Sequence, residues 1–297
     1  MISIGVDGGG TKTAFLGDIN GKTASFTLRE PANPNTVGYQ QSVETIKRGI
    51  NRICDENGFT PDDIDGIFCG IAGATSGDYR SYCADELKEL AANAEISVAH
   101  DGHNILSAAF GNQDGTIVIC GTGSSCFVRK NGELFRIGGY LTFDMAGCGY
   151  EIGRAAVAHA LSCFDGRAVP GVLNDMVCQQ MGMPPLDALD ILLKSDRQAT
   201  AAYAVTVYKA YQAGDTAAKA ILETNMSYIA DYINAAARHF DGKFSVCMAG
   251  SVGVDPISIG IIKQFLKCDA EIFPLSVEPV CGALVIAKNN AERRNNK

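Results

Sequence analysis

The sequence predicts an α/β protein of two domains, related in plan and facing each other. Three observations predict it. Short apolar strands alternate with amphipathic helical stretches, a glycine-turn hairpin occurs twice, and 297 residues are enough for two cores at about 150 residues per domain. With 46% hydrophobic residues, 20% charged residues, 33 glycines and only 9 prolines, disordered, collagen-like and low-complexity architectures are excluded.

Residues 2–6 read as a short buried strand that runs into Asp7-Gly8-Gly9-Gly10-Thr11-Lys12. A second strand follows over 13–16, then Asn20-Gly21, then a third over 23–28; Asn-Gly between extended segments is the strongest short hairpin signal. The plan recurs about 110 residues later, with strands over 116–120, 125–129 and 133–137 joined by Gly121-Thr122-Gly123-Ser124 and Asn131-Gly132. Between the copies, Val43, Ile46, Ile50 and Ile53 mark one face of a helix ending near Gly58. Strands are expected over 64–71 and 96–99, with a helix over 78–91 between them. Helices follow over 149–162, 172–181, 186–194 and 197–213, then a long helical stretch over 215–240 in which Ile221, Leu222, Ile229 and Ile233 keep a core period. The chain continues with a strand over 244–248, the turn Ala249-Gly250-Ser251-Val252-Gly253, a helix over 257–266, a strand over 270–273 and a helix over 279–289. The boundary falls near 112–116, which divides the chain into domains 1–114 and 115–297.

A net charge of −8, from 25 Lys and Arg against 33 Asp and Glu, argues against nucleic acid and anionic membrane as partners. A small anion can still be gripped by backbone amides, which no charge count reveals. Eleven cysteines include no C-x-x-C pair, which leaves zinc ribbons and redox dithiols without their usual spacing. Cys69, Cys120 and Cys247 lie inside apolar runs, the setting of inert reduced thiols. No apolar run approaches the ~18 residues of a membrane span, and the short apolar start lacks a basic flank, so a cytoplasmic protein is expected.

Three glycine-rich turns follow short apolar strands, at Gly8-Gly9-Gly10-Thr11, Gly121-Thr122-Gly123-Ser124 and Gly250-Ser251-Val252-Gly253. Glycine permits positive φ and close approach to a phosphate, and successive N–H groups form an anion-binding nest. A tight hairpin or helix cap explains any one of them alone; three in a duplicated plan point to phosphate. The stretch Gly17-Asp18-Ile19-Asn20-Gly21-Lys22-Thr23 has three residues between its glycines where a P-loop needs four, and no G-x-G-x-x-G opens a helix. Asp7, beside the first turn, reads either as an Asx-turn acid or as a carboxylate holding Mg²⁺ through water. Asp101, at a strand-to-helix junction, reads either as a helix N-cap or as the base that takes a proton from an attacking alcohol.

Together, Asp7-Gly8-Gly9-Gly10-Thr11-Lys12-Thr13, Gly121-Thr122-Gly123-Ser124, Gly147-Cys148-Gly149-Tyr150-Glu151-Ile152-Gly153-Arg154 and Ala249-Gly250-Ser251-Val252-Gly253 resemble the phosphate-1, phosphate-2, post-hairpin and adenosine elements of the N-acetylglucosamine kinase / BadF-BadG-BcrA-BcrD ATPase family. That family belongs to the actin, sugar-kinase and Hsp70 superfamily, and the likeness covers essentially the whole chain. It implies two ribonuclease-H-like, actin-like ATPase domains closing over sugar and nucleotide in a central cleft, with ATP and Mg²⁺ as cofactors and an amino sugar as substrate. Under it Asp101 is the general base on the sugar 6-hydroxyl, Asn33 and Gly73 lie on the sugar side, Thr122 and Gly123 touch phosphate or sugar, and Gly250 and Ser251 sit against adenosine. Family members are often dimers, so the resemblance also implies a homodimer.

The chain departs from the family at two places. Sugar kinases of the family usually carry Gly-Asp-Glu-Gly-Ser before Gly-Tyr; here the segment is Phe143-Asp144-Met145-Ala146-Gly147-Cys148, with Asp144 displaced by one residue and the Glu lost. Ser125 stands where N-acetylglucosamine kinases often have Asn. Asp144 and Ser125 are therefore the substituted sugar contacts, and Met145 and Ala146 either pack in the core or line a less polar pocket suited to the lactyl ether of N-acetylmuramic acid. The expected activity is phosphorylation of N-acetylglucosamine, with N-acetylmuramic acid or glucosamine as alternative acceptors. An ATPase activator, or a sugar or nucleotide sensor, is the alternative of another class. None of the cysteines sits in an obvious cluster-binding arrangement, and Asp7 falls too near the start for a preceding helix-turn-helix.

Overall fold

A computed structural model describes residues 1–140, 143–144 and 146–295, and these form two compact units, Met1–Gln113 with Leu275–Lys297, and Asp114–Pro274. In the first unit, β1 (Ile2–Gly8), β2 (Thr13–Ile19) and β3 (Lys22–Leu28) form an antiparallel meander. Asn20 and Gly21 join β2 to β3 with φ of 54° and 89°, the pair of positive values that a two-residue hairpin turn of matching twist demands. β4 (Gly66–Ile71) and β5 (Glu95–His100) add in parallel on the other side of β1, giving the order β3-β2-β1-β4-β5. Helices α1 (Pro34–Val37), α2 (Tyr39–Asn57), α3 (Tyr79–Leu90) and α4 (Gly102–Phe110) complete this part of the unit. Val43, Ile46, Ile50 and Ile53 of α2 are all buried against Ile4, Val6 and Ile67, as the helical period predicts.

The second unit repeats the plan. β6 (Gly115–Cys120), β7 (Ser124–Lys130) and β8 (Glu133–Ile137) are antiparallel; β9 (Phe244–Ala249) and β10 (Ala270–Pro274) add in parallel, in the order β10-β9-β6-β7-β8. Asn131 and Gly132, with φ of 51° and 82°, repeat the turn. The three-strand repeat of the sequence is thus a five-strand repeat in space. The intervening helices are α5 (Gly149–Phe164), α6 (Val172–Met181), α7 (Pro185–Lys194), α8 (Arg197–Ala201), α9 (Tyr203–Gln212), α10 (Thr216–Ala236) and α11 (Pro256–Gln264), with α12 (Pro279–Asn295) last. Among the described residues no helix is long and apolar enough to cross a membrane, and all eleven cysteines are free.

Four expectations are corrected. The domain 115–297 loses its end, because α12 packs in the first unit. A Cβ at Gly5 of β1 would overlap the Leu284 backbone, one at Gly66 of β4 would lie 2.6 Å from Ala287 O, and Phe68 rests on Ala283 and Ala287. The sheet is recessed there for a helix of small residues, which bury apolar surface only by such close approach. The strand expected from residue 64 starts at Gly66, because Thr60 and Asp63 cap each other around a short 3₁₀ turn at Pro61–Asp63. The helix expected over 197–213 is two pieces, α8 and α9, and that over 279–289 extends to Asn295.

Candidate functional site

In the first unit β1 delivers Asp7 to the mouth of the first glycine turn. Gly8 pairs with Thr13 across the hairpin, and Gly9 N donates to Lys12 O at 2.9 Å. The outer carbonyls of the turn are tied to two neighbouring loops: Ala32 N and Asn33 N donate to Gly9 O at 3.1 and 3.2 Å, and Ala72 N donates to Gly8 O at 2.8 Å. None of Gly8, Gly9, Gly10, Gly121 and Gly123 has positive φ, so the left-handed conformation is not what demands glycine at these five positions. A Cβ at Gly8 would lie 2.5 Å from Ile71 Cδ1 and 3.0 Å from Ala32 Cβ, so the Ile71 side chain would have to move, whereas a Cβ at Gly10 would have no atom within 4 Å. Thr11 and Lys12 are exposed. Thr13 is not available to a ligand, because it is buried and its hydroxyl donates to Glu30 O at 2.9 Å, pinning the turn from inside.

The same loops bring Asn33 and Gly73 together. Gly73 has φ of 81°, and a Cβ there would lie 2.5 Å from Asn33 Oδ1. Asn33 caps α1 by accepting from Asn35 N at 2.9 Å, and its Nδ2 has no acceptor among the described residues. Asp101 follows β5 and opens α4. Its backbone is already helical, at φ −56° and ψ −23°, and its carboxylate makes no cap bond, so the N-cap alternative falls. Asp101 Oδ1 lies 2.7 Å from His100 Nδ1, which accepts from Gly102 N at 3.1 Å.

Burial raises the Asp7 carboxyl to about 6; the bond from Asn104 opposes this, the charge of Asp101 adds to it, Lys12 lowers it and Glu278 raises it. Asn104 and Glu278 were not singled out in the sequence. The signal for the first is its place one helical turn after Asp101; Glu278 comes from the returning C-terminal segment and has no local signal. Among the described residues there is no group of three or more His, Cys, Asp and Glu able to hold a metal. Asp7 Oδ2, with no donor among the described residues, beside a turn whose Gly10 and Thr11 are exposed, nonetheless suits Mg²⁺, which keeps most of its waters and takes one or two carboxylates together with substrate phosphates.

In the second unit the two remaining glycine turns meet. Gly121 N donates to Gly123 O at 2.9 Å, while Gly121 O accepts from Gly149 N at 2.7 Å and Thr122 O from Tyr150 N at 3.2 Å, which seats the turn on the start of α5. Cys120 O accepts from Val252 N at 3.0 Å and Gly253 N at 2.9 Å, locking the third turn to the second. Gly250 has φ of 81°, and a Cβ there would lie 2.5 Å from Cys120 O, so both conformation and space require glycine. Gly121, Thr122, Ser251 and Asp255 line a cavity of about 380 Å³ whose far wall is the α8–α9 junction. That volume lies in the range of small-molecule sites. Tyr208 of this wall, unassigned in the sequence, holds Ser258 Oγ at 2.5 Å, and burial raises its phenol above the ordinary value. At Gly121 and Gly123, as at Gly10, a Cβ would have no atom within 4 Å.

The sequence profile of the BadF/BadG/BcrA/BcrD ATPase family matches residues 4–287. The chain belongs to this family. It is 29% identical over 230 residues, 74% of each chain, to the N-acetylmuramic acid/N-acetylglucosamine kinase of Clostridium acetobutylicum. It is 25% identical over 319 residues, 97% of this chain and 98% of the relative, to the N-acetyl-D-glucosamine kinase of Dictyostelium discoideum. In fold it is similar to the crystal structure of a candidate N-acetylglucosamine kinase from Chromobacterium violaceum, at a TM-score of 0.77 and 21% identity, covering 96% of this chain and 98% of the other.

Within this BadF/BadG/BcrA/BcrD ATPase, the departing segment does structural work. Asp144 Oδ2 accepts from Gly139 N and Oδ1 from Tyr232 OH, both at 3.0 Å, which leaves each oxygen a further lone pair, and the residue lines a cavity with Glu151, Arg154 and Asn225. Ser125 lies in β7 opposite Ile119. Ala146 O accepts from Ser124 Oγ at 2.9 Å, and Gly147 N donates to Asn225 Oδ1 at 3.2 Å. Met145 lies outside the described residues.

Proposed function

We propose that this chain is an ATP- and Mg²⁺-dependent amino-sugar kinase that phosphorylates the 6-hydroxyl of N-acetylglucosamine or a close relative. The observation that carries the reading is Asp101, a carboxylate at a strand end that its helix does not use as a cap, in the same unit as Asn33, whose Nδ2 is uncommitted. The relatives, named as kinases of N-acetylglucosamine and N-acetylmuramic acid, support the substrate class. Glycines at 10, 121 and 123, which neither conformation nor internal packing requires, support a ligand approaching the backbone at those turns.

In this reading Asp101 accepts the proton of the sugar hydroxyl as its oxygen forms a bond to the γ-phosphorus and the bond from that phosphorus to the β,γ-bridging oxygen breaks, releasing ADP. Asn33 donates to the sugar from Nδ2, and the backbone of Gly73 leaves the sugar room beside it. The amides of the turn at Gly121 hold phosphate, and the cavity beside Ser251 takes adenosine. Asp7 would hold Mg²⁺, and the ion would offset the charge on the phosphoryl oxygens when bound.

The test is ADP release with Mg²⁺-ATP across N-acetylglucosamine, glucosamine, N-acetylmuramic acid, N-acetylmannosamine, glucose and no sugar. Sugar-dependent release is expected, and Asp101→Asn should lower kcat by about 10²–10⁴-fold while leaving ATP affinity nearly intact. Sugar-independent hydrolysis, or normal turnover by Asp101→Asn, overturns the reading.

A further inference from the structure

Two strands of the first unit meet at one polar side chain that the proton-transfer step leaves unused. Asn104 is fully buried in the first turn of α4. Its Nδ2 donates to Asp7 Oδ1 at 2.5 Å and to Gly70 O at 3.1 Å. Gly70 of β4 is empty where the amide lies, since a Cβ there would overlap the Asn104 carboxamide. The neighbours fix which end of the amide is which, because a flip would set Oδ1 against two acceptors. Asn104 Oδ1 is buried with no hydrogen-bond partner among the described residues, a cost of about 1–3 kcal/mol that an apolar side chain of the same size would avoid. A chain that keeps such a residue, and recesses a strand to admit it, keeps it for what its two N–H groups do.

We infer that Asn104 is the positioning residue of the metal carboxylate. It clamps Asp7 through Oδ1 and leaves Oδ2 as the oxygen for the cation. Asn104 N also donates to Asp101 O at 2.9 Å, so the clamp and the base share one helical turn, and α4 is tied to β1 where the two acids come nearest in function. The inference rests on the kinase reading for Mg²⁺ as the cation at Asp7. Outer partners that orient a ligand carboxylate are worth about 10–100-fold in metal affinity.

The test is nucleotide affinity by calorimetry, with ATP in Mg²⁺ and in EDTA, for wild type, Asn104→Leu and Asn104→Asp. Leu keeps the volume and removes both donors; Asp keeps the shape and replaces the amide by an acid. Each variant should bind ATP in EDTA as wild type does, and lose about 10–100-fold of the Mg²⁺-dependent gain in affinity. The effect should disappear in an Asp7→Asn background, because the clamp acts only through Asp7. Thermal unfolding identifies the variant that is folded, and either one suffices. An unchanged Mg²⁺ dependence in a folded variant overturns the inference, as does a loss of the same size in EDTA, in the Asp7→Asn background, or in a wild type indifferent to Mg²⁺. A wild type that binds Mg²⁺-ATP but shows no sugar-dependent ADP release overturns the kinase reading instead.

Discussion

Asp7→Asn should make the protein more stable at neutral pH while removing its Mg²⁺ response. The Asp7 carboxyl is raised from 3.8 to about 6, chiefly by burial, so the folded protein holds that proton more tightly than the unfolded chain. For an acid shifted upward, the contribution to stability is full below the unfolded value and is lost as pH rises through the folded one. The window is therefore pH 4 to 6. A shift of about two units corresponds to ~3 kcal/mol at 1.36 kcal/mol per unit, and because Asp7 keeps some solvent contact the expected share is about 1–2 kcal/mol. Asn at this position has no charge to bury and keeps an oxygen for Asn104. Urea unfolding of both proteins at pH 4, 5, 6 and 7, without nucleotide or Mg²⁺, measures the gap. It should be near zero at pH 4 and open to about 1–2 kcal/mol in favour of Asp7→Asn at pH 7. Comparison of the two proteins cancels the carboxylates with lowered values, such as Asp215, whose burial is outweighed by backbone N–H groups of Leu173, Ala218 and Ala217. A gap that does not change with pH, or an Asp7→Asn protein less stable at pH 7, would refute the burial argument.

Two glycine substitutions separate a ligand contact from a structural one. Gly121→Ala adds a methyl group to open space at ordinary φ, so its unfolding midpoint should stay within about 0.5 kcal/mol of wild type, while ATP affinity falls about tenfold; unchanged affinity by calorimetry would show that nothing approaches that backbone. Gly250→Ala places a Cβ 2.5 Å from Cys120 O at φ of 81°, and should lose stability by about 1–3 kcal/mol together with ATP affinity. Wild-type stability in a urea titration would contradict that geometry.

Much of the local structure was legible in the residues themselves. Asn20-Gly21 and Asn131-Gly132 mark turns that need two positive φ values, and few other pairs adopt them cheaply. Val43, Ile46, Ile50 and Ile53 announce the buried face of α2 because helical period and burial are one signal. The duplicated hairpin foretold two related units, since identical local rules acting on similar segments produce similar meanders. What the sequence by itself determined is therefore what a few neighbouring residues determine: turns, periods, and the acids placed at strand ends. Tertiary structure decided how those parts are used. It sent α12 back to the first unit through the recesses at Gly5 and Gly66, committed the Thr13 hydroxyl to an internal bond, released Asp101 from capping, and built one wall of the cavity from α8 and α9. It also joined Asn104 to Asp7 across 97 residues. A hydrogen bond or a close-packed glycine is a relation between distant positions, and whether a polar atom is spent or left for a ligand is settled only when both partners are in place.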